Sequence, residues 1–225
     1  MTSSYRNAAL KCSICAAALL LVSDVTDVLA QAETNPNPNA QLLVAARQGD
    51  MPRLQTLIAQ GAVVASRNRL GKSALLLASE RGNVSISAAL LEAGANVDAV
   101  SLEGVTPLIA ASYNGSVELV KLLLAKGART DVVDRMNKPA IVYAAGQGNA
   151  GVLDALLASG IDVNARYEHQ LTLLMWAAGQ GRREAVRLLL VRGAQTDLRD
   201  DRGLTAREIA REAGQLEVAL GAGLN

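Results

Sequence analysis

Phenylalanine is absent from this chain, aromatic residues make up only 2% of it, and there is a single histidine. A core without phenylalanine must be packed from leucine, valine, isoleucine and alanine, which the 50% hydrophobic content can supply. The lone His169 cannot assemble a histidine metal cluster or a proton relay. The net charge of +1 offers no basic face for binding by counterion release, so no nucleic-acid partner is expected.

Both cysteines, Cys12 and Cys15, lie in a segment that is typical of a secretory signal. Positive residues come first, an uncharged run over 12–22 follows, and an Ala-x-Ala cleavage pattern ends at Ala32. We therefore predict a cleaved signal peptide over 1–32, with an uncleaved helix or membrane anchor as the alternative. The uncharged run is shorter than the roughly 20 residues that a spanning helix needs.

The predicted cleavage leaves a mature chain that begins with a polar leader over 33–39 and contains no cysteine. Disulfides and cysteine metal sites are then excluded from the mature protein. We expect a periplasmic or secreted protein of bacterial origin, with no membrane insertion after cleavage.

A period of 33 residues runs through the rest of the chain without an insertion. It is kept by two glycine series and one alanine series: Gly49, Gly82, Gly115, Gly148, Gly181 and Gly214; Gly61, Gly94, Gly127, Gly160 and Gly193; and Ala45, Ala78, Ala111, Ala144, Ala177 and Ala210. A fixed period of about 20–50 residues indicates stacked repeats. Function is then to be sought on a long surface and not in one pocket.

The segment 101–133 shows what one period encodes. Thr106 and Pro107 suit the start of a helix, because threonine caps free N–H groups and proline has no N–H to leave unpaired. A second helix with one apolar stripe is predicted between Gly115 and Gly127. Neither short helix can bury its stripe alone, so the units must stack.

The run from Gly104 to Ala111 and the run from Leu123 to Ala128 resemble the ankyrin repeat. The resemblance covers about residues 40–220 and never loses phase. It implies an all-α ankyrin-repeat solenoid of helix–turn–helix units with short hairpin loops, here called fingers, and a concave face of fingertips and first helices that binds proteins. About six repeats, including polar end caps, are placed within 40–225, at approximately 40–66, 67–99, 100–132, 133–165, 166–198 and 199–225.

The chain departs from the family pattern at several positions. The histidine of the family's Thr-Pro-Leu-His motif is replaced by Leu43, Leu76, Ile109, Val142, Met175 and Glu208. Apolar packing is expected to replace its hydrogen bonds. Asn137 and Gln170 replace the finger glycine, which predicts distortion of those two fingers. Ser87 holds a core position of the second repeat, where it is either bonded to its own helix or a weak point.

One motif of the chain matches a catalytic or cofactor-binding pattern. Gly146-x-Gly148-x-x-Gly151 matches the dinucleotide fingerprint, but that fingerprint requires a preceding strand and a crossover. Here it falls on the turn between two predicted helices. We predict no catalytic residue, no cofactor and no metal ion.

Aromatic residues of the predicted mature chain map to the surface with which ankyrin repeats bind partners. Tyr113, Tyr143 and Trp176 fall in first helices and Tyr167 at a fingertip. Tyrosine and tryptophan supply much of the energy at binding hot spots, although Tyr143 and Trp176 could instead only pack between repeats. The predicted partner-binding residues are Arg69, Leu70, Leu102, Glu103, Tyr113, Asn114, Arg135, Met136, Tyr143, Gln147, Tyr167, Glu168, His169, Trp176, Gln180, Asp201 and Arg202.

The predicted function is that of a monomeric, non-catalytic protein–protein interaction module, whose protein partner the sequence does not identify. One alternative is a structural or chaperone-like protector of an exported enzyme or an envelope assembly. Others are an effector exported to a host cell and an enzyme or small-molecule binder.

Overall fold

The computed structural model describes residues 37–215. The chain divides into two units, Met1–Pro38 and Asn39–Asn225, and the first lies almost entirely outside the described residues. The predicted signal peptide, 1–32, and the start of the predicted leader, 33–36, lie outside them as well. Within the described part, no helix is both long and apolar enough to cross a membrane.

Eleven α-helices and one 3-10 turn, Glu168–Gln170, form the regular structure of residues 37–215. Apart from two isolated bridge pairs, those residues contain no β-structure, which confirms the all-α prediction. The helices are α1 (Pro38–Gln48), α2 (Met51–Ala59), α3 (Ala74–Glu80), α4 (Val84–Glu92), α5 (Pro107–Asn114), α6 (Val117–Ala125), α7 (Ala140–Gln147), α8 (Ala150–Leu157), α9 (Leu173–Gly179), α10 (Arg183–Val191) and α11 (Ala206–Glu212).

Polar side chains cap several of these helices. The predicted cap Thr106 accepts a hydrogen bond from the backbone N–H of Ile109 at 3.2 Å, and Asp50 accepts one from Arg53 at 3.1 Å. Ser116, which precedes α6, makes no side-chain cap bond. Each cap that forms satisfies one of the N–H groups that the first turn of a helix leaves unpaired.

The repeats stack through both of their helices. First helices contact the first helices of neighbouring repeats, as α3 contacts α5 and α5 contacts α7, and second helices do the same, as α4 contacts α6. The buried hydrophobic residues of the described part are leucine, isoleucine, valine and alanine, together with Met175. This confirms the core composition expected from the missing phenylalanine.

Three kinds of side chain occupy the position of the family's missing histidine. Four repeats bury an aliphatic side chain at this position, as predicted, at Leu43, Leu76, Ile109 and Val142. In the fifth repeat, the sulfur of Met175 accepts a hydrogen bond from the backbone N–H of Thr172 at 3.4 Å. In the sixth, the Glu208 carboxylate accepts one from the N–H of Thr205 at 2.7 Å, a bond that helps to hold the pKa of Glu208 below its ordinary value. Met175 is also buried in the hydrophobic core, so the expectation of apolar packing holds in the fifth repeat and is wrong only in the sixth.

The last helix of the described residues, α11, is mostly polar. α11 buries only Ala206 and Ala210, whereas Arg211 is exposed and Arg207 and Glu208 are half-buried. This agrees with the polar character predicted for the sixth unit, because a solenoid needs polar groups on the outer faces of its terminal repeats to remain soluble.

Ser87 is the weak point of the second repeat. Its side chain is fully buried on α4, and its hydroxyl has no hydrogen-bond partner among the described residues, so of the two alternatives the bond to its own helix is not formed. We expect Ser87→Ala to raise the free energy of unfolding by about 1 kcal/mol, because a buried unpaired hydroxyl carries a desolvation cost of roughly 1–3 kcal/mol. Denaturant titration followed by helical circular dichroism measures this change.

Ser79 provides the matched control for this prediction. It is equally buried on α3, but its hydroxyl donates to the carbonyl oxygen of Leu75 at 2.8 Å. Ser79→Ala removes a hydrogen bond and should not stabilise the protein. If both variants are stabilised equally, the higher helix propensity of alanine is the cause, and the explanation from the unpaired hydroxyl is wrong.

Candidate functional site

Most residues of the predicted partner site are exposed. The exposed members lie at the fingertips and at the ends of the first helices: Arg69, Leu70, Leu102, Glu103, Tyr113, Asn114, Arg135, Met136, Gln147, Glu168, His169, Gln180, Asp201 and Arg202. The other three, Tyr143, Tyr167 and Trp176, are half-buried. We call the surface formed by the first helices at these positions the first-helix face: Tyr113, Asn114, Tyr143, Gln147, Trp176 and Gln180.

One short polar side chain closes each regular finger. In the second repeat, Asn68 accepts hydrogen bonds from the backbone N–H groups of Leu70 and Lys72, at 2.9 and 3.0 Å. The same pair of bonds forms in three other fingers, at Ser101, Asp134 and Asp200. A turn closed in this way is stable without a long hairpin.

The fifth finger lacks this closing side chain, because Tyr167 occupies its position. It forms a 3-10 turn in which His169 and Gln170 are both left-handed, with φ of 57° and 59°. Asn137 also has a positive φ, 54°, but its finger keeps the regular turn because Asp134 closes it. The distortion predicted for both fingers is confirmed in the fifth repeat and wrong in the fourth.

Tyr167 was predicted to lie at a fingertip. Its side chain instead packs against the hydrophobic core. Burial, followed by the nearby charge of Asp162, raises its pKa to about 12. A cavity of about 590 Å³ opens beside it between the fourth and fifth fingers, with Ile141 and Arg166 among its lining residues. Among the described residues, no backbone hydrogen bond joins these two fingers.

The other neighbouring fingers are joined in register. The N–H of Leu102 donates to the carbonyl oxygen of Leu70 at 3.0 Å, and the third and fourth fingers are joined in the same way. The N–H of Asp201 donates to the carbonyl oxygen of His169 at 3.1 Å, and their side chains approach to 3.0 Å. The predicted fingertip residues therefore form two groups, one on repeats two to four and the other on repeats five and six.

Tyr113 and Tyr143 lie next to each other on the first-helix face. Their rings meet edge to face, with centroids 5.9 Å apart and planes at 71°. Tyr113 is 57% exposed, whereas the hydroxyl of Tyr143 donates to the carboxylate of Asp134. Burial, and then this hydrogen bond, raise the pKa of Tyr143 well above its ordinary value, so the phenol stays protonated and remains a donor. Packing and hydrogen bonding thus fix Tyr143, which supports the exposed ring of Tyr113.

Trp176 holds the Tyr143 position one repeat further along, in α9. Its ring packs partly against the hydrophobic core, and its indole N–H is buried without a partner among the described residues. The Nζ atom of Lys138 lies 4.6 Å from the ring centroid, which is a cation–π arrangement. Trp176 is therefore at least in part a packing residue, and whether it also binds stays a prediction.

Two cavities open on the first-helix face, and Tyr143 lines both. The first, of about 340 Å³, has mostly apolar walls formed by Glu80, Val105, Ile109, Ala110, Tyr113 and Tyr143. The second, of about 190 Å³, also presents cationic and amide groups and is formed by Lys138, Val142, Tyr143, Gly146, Gln147, Trp176, Gln180 and Arg182. We call them the apolar cavity and the basic cavity.

Family models of ankyrin repeats match the part of the chain that carries this face. A model of three ankyrin-repeat copies matches residues 42–134 and 96–167, and a model of many copies matches residues 156–210. The chain belongs to the ankyrin-repeat family. No match is found among curated proteins. Ankyrin repeats are generally protein–protein interaction modules, which makes the exposed side chains of the first-helix face the natural place to look for a partner site.

Polar side chains brace successive ankyrin repeats at the ends of their first helices. The amide of Asn149 donates to the carbonyl oxygen of Ser112 at 2.9 Å, and the guanidinium of Arg182 donates to that of Gly146, also at 2.9 Å. Asn114, predicted as a partner contact, reaches back to α3 in the same way. These bonds fix the position of one first helix relative to the next.

Comparison of the ankyrin repeats with one another reveals residues that motif analysis missed. Lys138, Gly146 and Arg182 line the basic cavity, and none of them belongs to the predicted partner site. The signal that could have found them is a difference between repeats at equivalent positions. Lys72 pairs with Glu80, while two repeats later the same two positions hold Lys138 and Gly146.

The chemical groups of the site are suited to contact and recognition. Aromatic and aliphatic side chains, amides, cations and the carboxylate of Glu80 line the two cavities, and mixed charges occupy the fingertips. Within residues 37–215, no group of three or more histidine, cysteine or acidic side chains could hold a metal ion. What the arrangement can do is hold a polypeptide segment by burying apolar side chains and pairing polar ones.

Proposed function

We propose that this protein is a non-catalytic binding module that holds another protein against its first-helix face. The observation that carries the proposal is the exposed aromatic side chain of Tyr113, which borders the apolar cavity and rests edge to face on Tyr143. Exposed aromatic groups beside a cavity are typical of binding hot spots, since they bury a large area in a single contact. Membership of the ankyrin-repeat family supports the same function.

Residues that hold Tyr113 and Tyr143 in place reduce the loss of conformational entropy when a partner binds. Tyr143 is held by its hydrogen bond to Asp134, and the helix that carries Tyr113 is braced by Asn149. A surface that is already ordered loses little conformational freedom when it binds. The partner therefore meets a preformed site, with the apolar cavity on one side of Tyr143 and the basic cavity on the other.

We also propose that the protein acts outside the cytoplasm, in the periplasm or the secreted space of a bacterium. The support is the sequence of residues 1–32, with its positive start, uncharged run and Ala-x-Ala ending. Loss of both cysteines on cleavage would leave a chain that needs no disulfide chemistry in that compartment.

The test places a photo-crosslinking amino acid at Tyr113 in the full-length protein, expressed in its own cells. We expect one discrete adduct, because a partner that contacts the first-helix face must cover Tyr113. Mass spectrometry of that adduct identifies the partner. It also reports whether the mature chain begins near Ala32, as the proposed export requires.

Val191 is the matched control position, since it is 84% exposed but lies on the second helix α10. The crosslinker at Val191 should give no adduct of the same mass. Equal adducts at both positions would contradict the assignment of the face. Many weak adducts at Tyr113, with no dominant one, would instead favour the chaperone-like alternative.

A further inference from the structure

The basic cavity contains cations but no acid. Lys138 and Arg182 are both half-buried in its wall, and none of its lining residues is a carboxylate. Among residues 37–215, neither cation forms an ion pair: Lys138 lies over the Trp176 ring, and Arg182 donates from its Nε to the carbonyl oxygen of Gly146. Asp134 lies nearby, but its carboxylate accepts the hydrogen bond from the Tyr143 hydroxyl and does not line the cavity. Two cations in the wall of one cavity that has no carboxylate in its lining favour the binding of an anionic group.

The second repeat shows the same cation with its acid present. Lys72, at the position equivalent to Lys138, forms an ion pair of 2.6 Å with Glu80 on α3. In the fourth repeat, the position of Glu80 is held by Gly146 on α7. Lysine thus occupies the same position in two repeats. The charge of Lys72 is neutralised by an acid of its own repeat, whereas Lys138 has no such acid.

Neither the backbone nor the packing requires a glycine at position 146. Gly146 lies within α7, its φ is not positive, and a Cβ atom added there would meet no heavy atom within 4 Å. By contrast, a Cβ atom on Gly179, one repeat later, would lie 3.0 Å from Ile209, so close packing explains that glycine. Glycine is among the poorest helix formers. The structural effect of Gly146 is to leave the basic cavity open.

The size and the walls of the basic cavity suit one acidic side chain. Its volume of about 190 Å³ is below the roughly 300–1,000 Å³ of typical small-molecule sites. Gln147 and Gln180 add amide donors at its rim, and hydrogen bonds from charged donors to a carboxylate are among the strongest in proteins. The apolar cavity adjoins it across Tyr143, so an apolar side chain can be bound next to the acid.

We propose that the basic cavity binds a glutamate or aspartate side chain of the protein partner, with a neighbouring apolar side chain of the partner in the apolar cavity. This inference rests on the proposed function and specifies the chemistry of the segment that is bound. Lys138 and Arg182 supply the charge, Gly146 supplies the space, and the Trp176 ring holds the Lys138 ammonium in place.

Trp176 is the only tryptophan of the chain, so its fluorescence and its single indole N–H signal in an NMR spectrum report directly on this cavity. The probes, titrated into the full chain, are acetyl-Ala-Leu-Glu-Ala-amide and the same peptide with glutamine in place of glutamate. We expect a saturable change with the glutamate peptide, an affinity for it about tenfold or more above that for the glutamine peptide, and weaker binding at higher salt. Equal responses, or none that saturates, would overturn the proposal.

A third peptide, acetyl-Ala-Leu with a free C-terminal carboxylate, tests the source of the acid. If only this peptide saturates the signal, the assignment to a side chain is wrong. The outcome is separable from that of the crosslinking test. A discrete adduct at Tyr113 without any preference for the glutamate peptide removes this inference alone, whereas loss of both results removes the proposed function as well.

Two variants test the assigned residues. Gly146→Glu recreates the internal acid of the second repeat, and we expect it to weaken binding of the glutamate peptide about tenfold or more while the thermal midpoint stays the same or rises. Lys138→Gln should weaken it to a similar extent. Lys121→Gln, at an exposed position on the second helix α6, is the control and should change nothing. Unaltered binding by Gly146→Glu would contradict the proposal, because a well-folded variant with a filled cavity should not bind.

Discussion

Leu123→Ala is expected to lower the free energy of unfolding by about 2–5 kcal/mol, the range found for buried leucines whose removal leaves a cavity. Leu123 is fully buried on α6, the second helix of the third repeat. This helix contacts the second helices on both sides, α4 and α8. Because a solenoid is stabilised by its nearest-neighbour contacts, a cavity at a central repeat weakens two interfaces at once. Denaturant titration followed by helical circular dichroism measures the loss.

Val191→Ala is the control for Leu123→Ala. Val191 is also an apolar residue on a second helix, but it is exposed, so its truncation should change stability by no more than about 0.5 kcal/mol. Similar losses for the two variants would mean that burial between stacked helices is not what holds the repeats together.

The stacking of the repeats was predictable because it depends on local chemistry that recurs at a fixed step. Thr106 was recognisable as a helix cap, and it caps its helix. The shape of the fingers was less predictable. The sequence drew attention to the missing glycines at Asn137 and Gln170, but both residues adopt a left-handed conformation. The difference between the two fingers comes from the residue three positions earlier, which either closes the turn or does not.

The candidate site was predictable in position but not in geometry. The 33-residue step placed Tyr113, Tyr143 and Trp176 on neighbouring first helices, and the structure finds them there. The sequence could not show that Tyr143 is tied to Asp134, since that bond depends on how the finger folds against its helix. The basic cavity was not predicted, because it depends on Gly146 having no side chain at a position where another repeat has one. An absence of this kind becomes visible only when equivalent positions of the repeats are compared.

Gly115→Ala is expected to reduce stability by more than Gly127→Ala. Both glycines are left-handed, with φ of 87° and 83°, so each alanine should cost about 1–2 kcal/mol in backbone strain. A Cβ atom on Gly127 would meet nothing, whereas on Gly115 it would lie 2.8–3.1 Å from the side-chain amide of Asn149. That amide would have to move and give up its hydrogen bonds to Ser112 and Tyr113, at a further cost of roughly 1–3 kcal/mol. The two variants are compared in parallel denaturant titrations.

The same substitution should also affect the binding face. Asn149 belongs to the next repeat, and its bonds to the end of α5 hold the helix of Tyr113 in place beside that of Tyr143. When the brace is lost, Tyr113 and Tyr143 should no longer hold their edge-to-face contact, and the crosslinking yield at Tyr113 should fall in Gly115→Ala but not in Gly127→Ala. Equal losses of stability in both variants, with equal crosslinking, would show that backbone strain alone matters at these glycines. The hydrogen bonds of Asn149 would then have no part in forming the site, because Gly115→Ala, which disrupts them, would give the same stability and the same crosslinking yield as the control Gly127→Ala.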